Sequence, residues 1–229
     1  MKVGQIIQRI QSLYSKGVQS DDTRLTDSHI YDVMLTTRST LLTNKINKKQ
    51  KISDWNYMTL PCVEIIKVDK HECPCLPPVG CKVYRTKYPL PKPLVGLTDH
   101  IIDWVMSVED SLLIDKATRE EIRRLNGNKY TSHNPKYLTE QRHFYFYASS
   151  LGKVIKLRFL PEDPIEASKY PSFCPCTDCN DCESYYEKEF PFDLEDINVL
   201  VQMCAAELIE QFSKSREDRT NDTKDKINE

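Results

Sequence analysis

Apolar positions recur at helical spacing toward both ends of the chain and alternate in its middle. Ile6, Ile7, Ile10, Leu13 and Tyr14 fall at the i, i+3/i+4, i+7 positions of one helix face, which predicts a helix over residues 3–16. Gly17 is placed to end it in a left-handed conformation, before the polar loop Gln19–Asp22. A second helix is expected from Thr26 or Asp27, whose side chains accept from the free amides of a first turn. Its body runs from His29 to about Lys45, with Ile30, Met34, Thr37 and Leu41 on one face and Val33 and Leu42 beside them. A third stripe follows the acidic Asp193, Glu195 and Asp196: Ile197, Leu200, Val201, Cys204, Leu208 and Ile209. Two short helices leave part of their own stripes uncovered. The third is their expected partner, and the two ends of the chain are predicted to meet as a helical bundle.

The middle follows different rules. Seven of the 13 prolines lie between Pro61 and Pro93, which excludes long helices there. Val63–Val68 and Lys82–Arg85 read as short strands, and Thr118–Leu125 as a short helix stopped by Asn126-Gly127. The clearest hairpin is His143–Tyr147, a turn through Ser149 to Gly152, then Val154–Phe159. Phe144 and Phe146 share one face, as do Ile155, Leu157 and Phe159, which is the alternation of a half-buried antiparallel pair. Tyr145 and Tyr147 occupy the opposite face, as an exposed interface or as a second packed layer.

The fold class read from this pattern is α+β, with terminal helices forming a bundle and an antiparallel β-rich insertion. The expected divisions are 1–58 (helical), 59–170 (β-rich), 171–192 (Cys-rich loop), 193–213 (closing helix) and 214–229. The last segment holds five basic and five acidic side chains, and is expected to be a disordered tail.

Composition adds mainly exclusions. In 229 residues, 39% hydrophobic and 29% charged side chains are ordinary for a globular chain. No stretch nears the roughly 18 apolar residues of a membrane span, and the mean hydropathy is -0.55. The N-terminus lacks the apolar core and cleavage site of a secretory signal, so synthesis and retention in a reducing cytoplasm are expected. A net charge of -2 provides no strong overall field for nucleic acid. Residues 1–51 nevertheless carry nine basic and four acidic side chains, and Lys45, Lys48, Lys49 and Lys51 cluster at the second helix's end. This run suits a phosphate contact, and equally a solvated helix end where cations favour the dipole.

Nine cysteines, an odd number, cannot all pair in disulfides. Cys174, Cys176, Cys179 and Cys182 form one cluster, and His71, Cys73, Cys75 and Cys81 another. Thiolates at such spacing can surround a tetrahedral zinc, although the pattern departs from paired C-x2-C knuckles. The alternative is unligated thiols on proline-rich loops. No Gly-rich turn or oxyanion-type loop frames a Cys–His nucleophile. Phosphate-binding glycine loops, H-E-x-x-H and G-x-S-x-G are absent. Adjacent acids such as Glu120-Glu121 do not face one another on a helix. No catalytic constellation emerges, and no cofactor beyond that zinc is suggested.

Two motifs, SDDTRLTDSHIYDVMLTTRSTLL and WNYMTLPCVEII, make residues 3–66 resemble head–tail connector proteins of crAss-like tailed bacteriophages. The first is similar to the arginine–leucine entry into the second helix of podovirus adaptor proteins. NGNKY, HFYFY, VIKLRFLPEDP and the helix after EFPFDLED follow in matching order. The resemblance implies a non-enzymatic virion protein, made in the host bacterial cytoplasm, that forms a dodecameric ring at the head–tail junction. It implies docking on the portal protein, contact with other connector rings or tail proteins, and genomic DNA passing through the channel. It places Arg24, Leu25, His29, Tyr31 and Arg38 in the ring- and portal-facing bundle. Lys45, Lys48, Lys49 and Lys51 become candidates for the channel or portal face. A zinc-stabilised module binding nucleic acid or protein is the alternative reading.

Overall fold

The computed structural model describes residues 1–16, 25–68, 83–97, 99–125, 134–147, 151–171 and 184–224. Among them it shows a mixed α/β protein with five helices and a seven-stranded sheet. The chain divides into two units, one of residues 1–56 and 182–229, the other of residues 57–181.

The first unit contains α1 (Val3–Tyr14), α2 (Asp27–Asn47) and α5 (Leu194–Lys224). α1 buries Val3, Ile6, Ile7 and Ile10. Leu13, expected on the same stripe, is 48% exposed, because the helix stops one residue later. Ser15 caps it and Lys16 takes a φ of 51°, while Gly17 lies outside the described residues. α2 starts where the capping residues predict: Thr26 Oγ1 accepts from the His29 amide at 3.4 Å. It buries Ile30, Val33, Met34, Thr37, Arg38 and Leu42, and leaves Leu41 half-buried.

α5 packs against both α1 and α2. Ile197, Leu200, Val201, Cys204, Ala205 and Leu208 face inward, whereas Ile209 is 43% exposed. Tyr14 meets Phe212 at 5.9 Å between centroids, and Lys45 pairs with Asp196. Direction follows from these pairs: α5 runs with α1 and against α2. Within the segment expected as a tail, α5 continues to Lys224, and residues 225–229 lie outside the described residues. No Pro or Gly interrupts residues 213–224, and extending an established helix needs no new nucleus.

The second unit is built on β1 (Met58–Val68), β2 (Val83–Thr86), β3 (Ile102–Ser107), β4 (Asp115–Lys116), β5 (Lys136–Glu140), β6 (His143–Tyr147) and β7 (Val154–Phe159), in the spatial order β3-β7-β1-β2-β6-β5-β4. β1 belongs to both halves of the sheet. Its first part pairs with β7 and its last residues with β2. Between Leu60 and Val63 the register shifts, and Pro61 sits in that bulge. A residue without an N–H is tolerated where the ladder is already interrupted. The sheet curls until its edges nearly meet. Met106 of β3 bridges Leu113, and the Ile114 amide donates to the Val105 carbonyl at 2.8 Å just before β4 begins.

The expected hairpin is corrected. β6 and β7 are both strands with the predicted faces, but they do not pair. β6 lies between β2 and β5, and β7 between β1 and β3. Alternation sets which side chains point inward without naming the neighbouring strand. Leu60, Val63, Ile65, Val105, Phe144, Phe146, Ile155, Leu157 and Phe159 form the interior. On the other side of β6, Tyr145 and Tyr147 are 4% and 5% exposed and pack with Val83, Leu138, Ala117 and Ile122. They are therefore a second packed layer and offer no exposed interface.

Ile122 comes from α3 (Arg119–Leu125), the short helix expected from Thr118 onward. Thr118 and Glu121 cap it reciprocally: the Glu121 amide donates to Thr118 Oγ1 at 3.3 Å and the Thr118 amide to Glu121 Oε2 at 2.9 Å. α4 (Pro164–Ser168) starts from Asp163, whose Oδ1 accepts from the Ile165 and Glu166 amides.

Candidate assembly surfaces

The helical unit is tied at its N-terminal end by polar contacts. The Val3 amide donates to the Lys188 carbonyl at 3.0 Å, and the Phe190 amide to the Met1 carbonyl at 2.9 Å. Gly4 approaches Tyr186 so closely that a Cβ would lie 3.2 Å from its carbonyl oxygen. Asp27 joins three elements, accepting from Gln11 Nε2 at 2.7 Å and from the Tyr186 hydroxyl at 2.9 Å. Hydrogen bonding with Tyr185 and with the Asp27 carboxylate raises the Tyr186 phenol above its ordinary range. Beside these residues runs a polar groove of about 470 Å³, lined by Lys2, Gln8, Gln11, Asp27 and Glu187 among others.

The predicted interface residues do not share one surface. Arg38 is fully buried, with its guanidinium 5.8 Å from the Phe190 ring centroid and 6.0 Å from that of Phe192. A cation over two aromatic faces is stabilised there by their quadrupoles. Arg38 is thus a core residue of the single chain. His29 is exposed and meets Phe212 edge-on at 6.4 Å. Tyr31 is half-buried against Tyr185 at 5.7 Å. Two residues apart on a helix, His29 and Tyr31 point to opposite sides. Leu25 is half-buried before the Thr26 cap, and Arg24 lies outside the described residues.

The basic run is also divided. Lys45 is held in its ion pair with Asp196. Lys48, Lys49 and Lys51 are exposed, and Lys49 adopts a φ of 54° as the chain leaves α2. Four residues past Lys51, Trp55 is 77% exposed on a single 3-10 turn, Asp54–Asn56. In the sequence this residue opens the WNYMTLPCVEII motif and is the lone indole of the polar stretch Ser53-Asp54-Trp55-Asn56.

α5 leaves two apolar side chains on its outer side. Val199 and Met203, one turn apart, are 44% and 40% exposed while the opposite side is packed inward. Selecting one stripe from the sequence conceals this, because α5 has apolar residues on both sides.

The β unit presents a socket and a projection. A largely apolar cavity of about 140 Å³ opens beside the β5–β6 turn, lined by Leu90, Pro93, Ile102, Phe144, Leu157 and Phe159, with Lys92, His100, Arg142 and Glu162 around it. Arg142 Nε donates to the Leu90 carbonyl at 3.0 Å, and its guanidinium pairs with Glu166 at 3.2 Å. The projection is the turn after β3. The Asp110 amide donates to the Ser107 carbonyl at 3.1 Å and the Leu112 amide to Ser107 Oγ at 3.2 Å. Lys156 pairs with Asp110 at 2.8 Å. Val108, Leu112 and Leu113 remain 39%, 38% and 53% exposed.

Cys174, Cys176, Cys179 and Cys182 lie outside the described residues, as do His71, Cys73, Cys75 and Cys81. Among the described residues no group of three or more His, Cys, Asp or Glu side chains is arranged to hold a metal ion. Burial pushes the Cys204 thiol up to about 11, and it donates to Thr37 Oγ1 at 3.4 Å. This thiol is a packing group; the thiolate needed by a nucleophile is suppressed. No described helix is long and apolar enough to cross a membrane.

Residues 5–227 match the model of one protein family, described as phage tail ring protein 2. No curated protein matches the chain.

Proposed function

From the premise that this chain belongs to the phage tail ring protein 2 family of crAss-like phages, we propose that it closes into a dodecameric ring of the head–tail connector. The family itself implies a structural virion component that assembles with copies of itself and with tail or connector partners. Our reading goes further: the ring docks on the portal protein, continues the DNA channel toward the tail, and catalyses no reaction. The three terminal helices act as the ring-forming bundle.

The outward apolar side chains of α5 carry this reading. Val199 and Met203 lie on a helix whose inner face is already covered, and a head-to-tail contact whose rotation closes makes a ring. Leu25, His29 and Tyr31 are proposed to contribute at the edges of this interface. Arg38 acts from inside, holding Phe190 and Phe192 in place. Lys48, Lys49 and Lys51 face the channel or the portal, where twelve repeats concentrate a modest positive charge.

Mass photometry of the full chain, alone and with portal protein, tests the ring. Twelve copies of 26.7 kDa predict a species of about 320 kDa. The double substitution Val199→Asp, Met203→Asp is expected to leave monomers with unchanged helical circular dichroism. A wild-type chain that remains monomeric in both settings overturns the proposal. Charge reversal of Lys48, Lys49 and Lys51 is expected to lower DNA retention in assembled particles, and unchanged retention removes their assigned role.

A further inference from the structure

We infer that the β unit carries its own head-to-tail contact, in which the 108–113 turn of one copy enters the cavity beside the β5–β6 turn of the next. This deepens the ring proposal and rests on it.

The two features lie at opposite ends of the same strand. Ile102, the first residue of β3, lines the cavity, whereas Ser107, its last, opens the projecting turn. Five residues of strand separate them by about 17 Å. On the neighbouring β7, Leu157 and Phe159 line the cavity and Lys156 anchors Asp110. A turn and a cavity set at the two ends of β3 are too far apart to meet within one copy. They complement each other between copies related by a rotation, which is a heterologous contact.

Both partners are formed before they meet. The turn is fixed by the Ser107, Ser111 and Leu112 hydrogen bonds, the Lys156–Asp110 pair and a φ of 54° at Asp110. Yet it displays Val108 and Leu112 to solvent. The socket is framed by Pro91 and Pro93 and by the packed rings of Phe144 and Phe159. Little ordering entropy remains to be lost on contact.

The polar groups support the same direction of insertion. Arg142 and Asp110 are already matched within the copy, by Glu166 and Lys156. Glu109 at the tip of the turn and Lys92 at the socket are both exposed and opposite in charge.

The test uses full-length chain with p-benzoylphenylalanine in place of Leu112, mixed with 15N-labelled wild type and irradiated. The expected product joins residue 112 to a labelled peptide containing residues 90–93 or 139–144. Leu112→Asp should weaken assembly about a hundredfold or more. Glu109→Lys should weaken it about tenfold and Lys92→Glu should restore it in the double variant. A ring of normal mass whose cross-links fall elsewhere, or which forms as readily with Leu112→Asp, overturns the socket while leaving the ring intact. A chain monomeric in every arm sinks both proposals.

Discussion

The helical unit and the β unit solve burial in different ways. The β unit closes its sheet almost on itself, so each strand's inward row meets other inward rows: Phe144, Phe146, Leu157 and Phe159 lie within one interior. The helical unit has three long elements and no closure. It buries a cation among aromatic rings, ties its helix ends with Asp27, and still leaves apolar residues on the outside of α5. Closure makes a unit self-sufficient. An open helix packing leaves surface for others to cover, which suits a protein that works in many copies.

The sharpest way to break the contrast is to hollow the closed unit. Phe146 is fully buried, and Phe146→Ala should cost about 3–5 kcal/mol. Hydrogen exchange should show the loss in β2, β5 and β6, with protection retained in α1 and α5. Protection lost equally in the helices would mean that the two units fold as one. Next is Arg38→Ala, expected to cost about 2–4 kcal/mol through lost packing and cation–π contact, with exchange rising in α2 and at the start of α5. A smaller loss for Arg38→Met would assign most of the effect to volume, and an equal loss would assign it to charge.

The mildest test is pH. Burial lowers the His143 pKa, while its Nδ1 lies 3.0 Å from the Thr86 carbonyl. As pH falls below the unfolded value of about 6.5, the unfolded chain takes up the proton first. The β unit is therefore most stable above that pH and loses stability below it. Denaturant midpoints at pH 7.5 and 5.5 should separate more for wild type than for His143→Gln.

Elements were legible in the sequence wherever one period dominated. The α1 and α2 stripes, the Thr26 cap and the inward faces of β6 and β7 all follow from local spacing. Strand partners do not, because β7 is chosen by the long β1, whose bulge at Pro61 lets it serve two neighbours. β3 escaped notice because its own register shift, between Ile102 and Trp104, disrupts the alternation. The surfaces were less legible than the core. Arg38 reads as a surface cation until Phe190 and Phe192, some 150 residues away, enclose it. Val199 and Met203 were missed because a helix with apolar residues on both sides offers no single stripe to pick.

One consequence follows from the length of α5. Tyr14 ends α1, His29 lies in the first turn of α2, and both rings touch Phe212. From there α5 continues to Lys224, about 18 Å of additional reach at 1.5 Å per residue. A load applied there reaches the meeting of Phe212 with Tyr14 and His29 through the hydrogen-bonded backbone of a single helix.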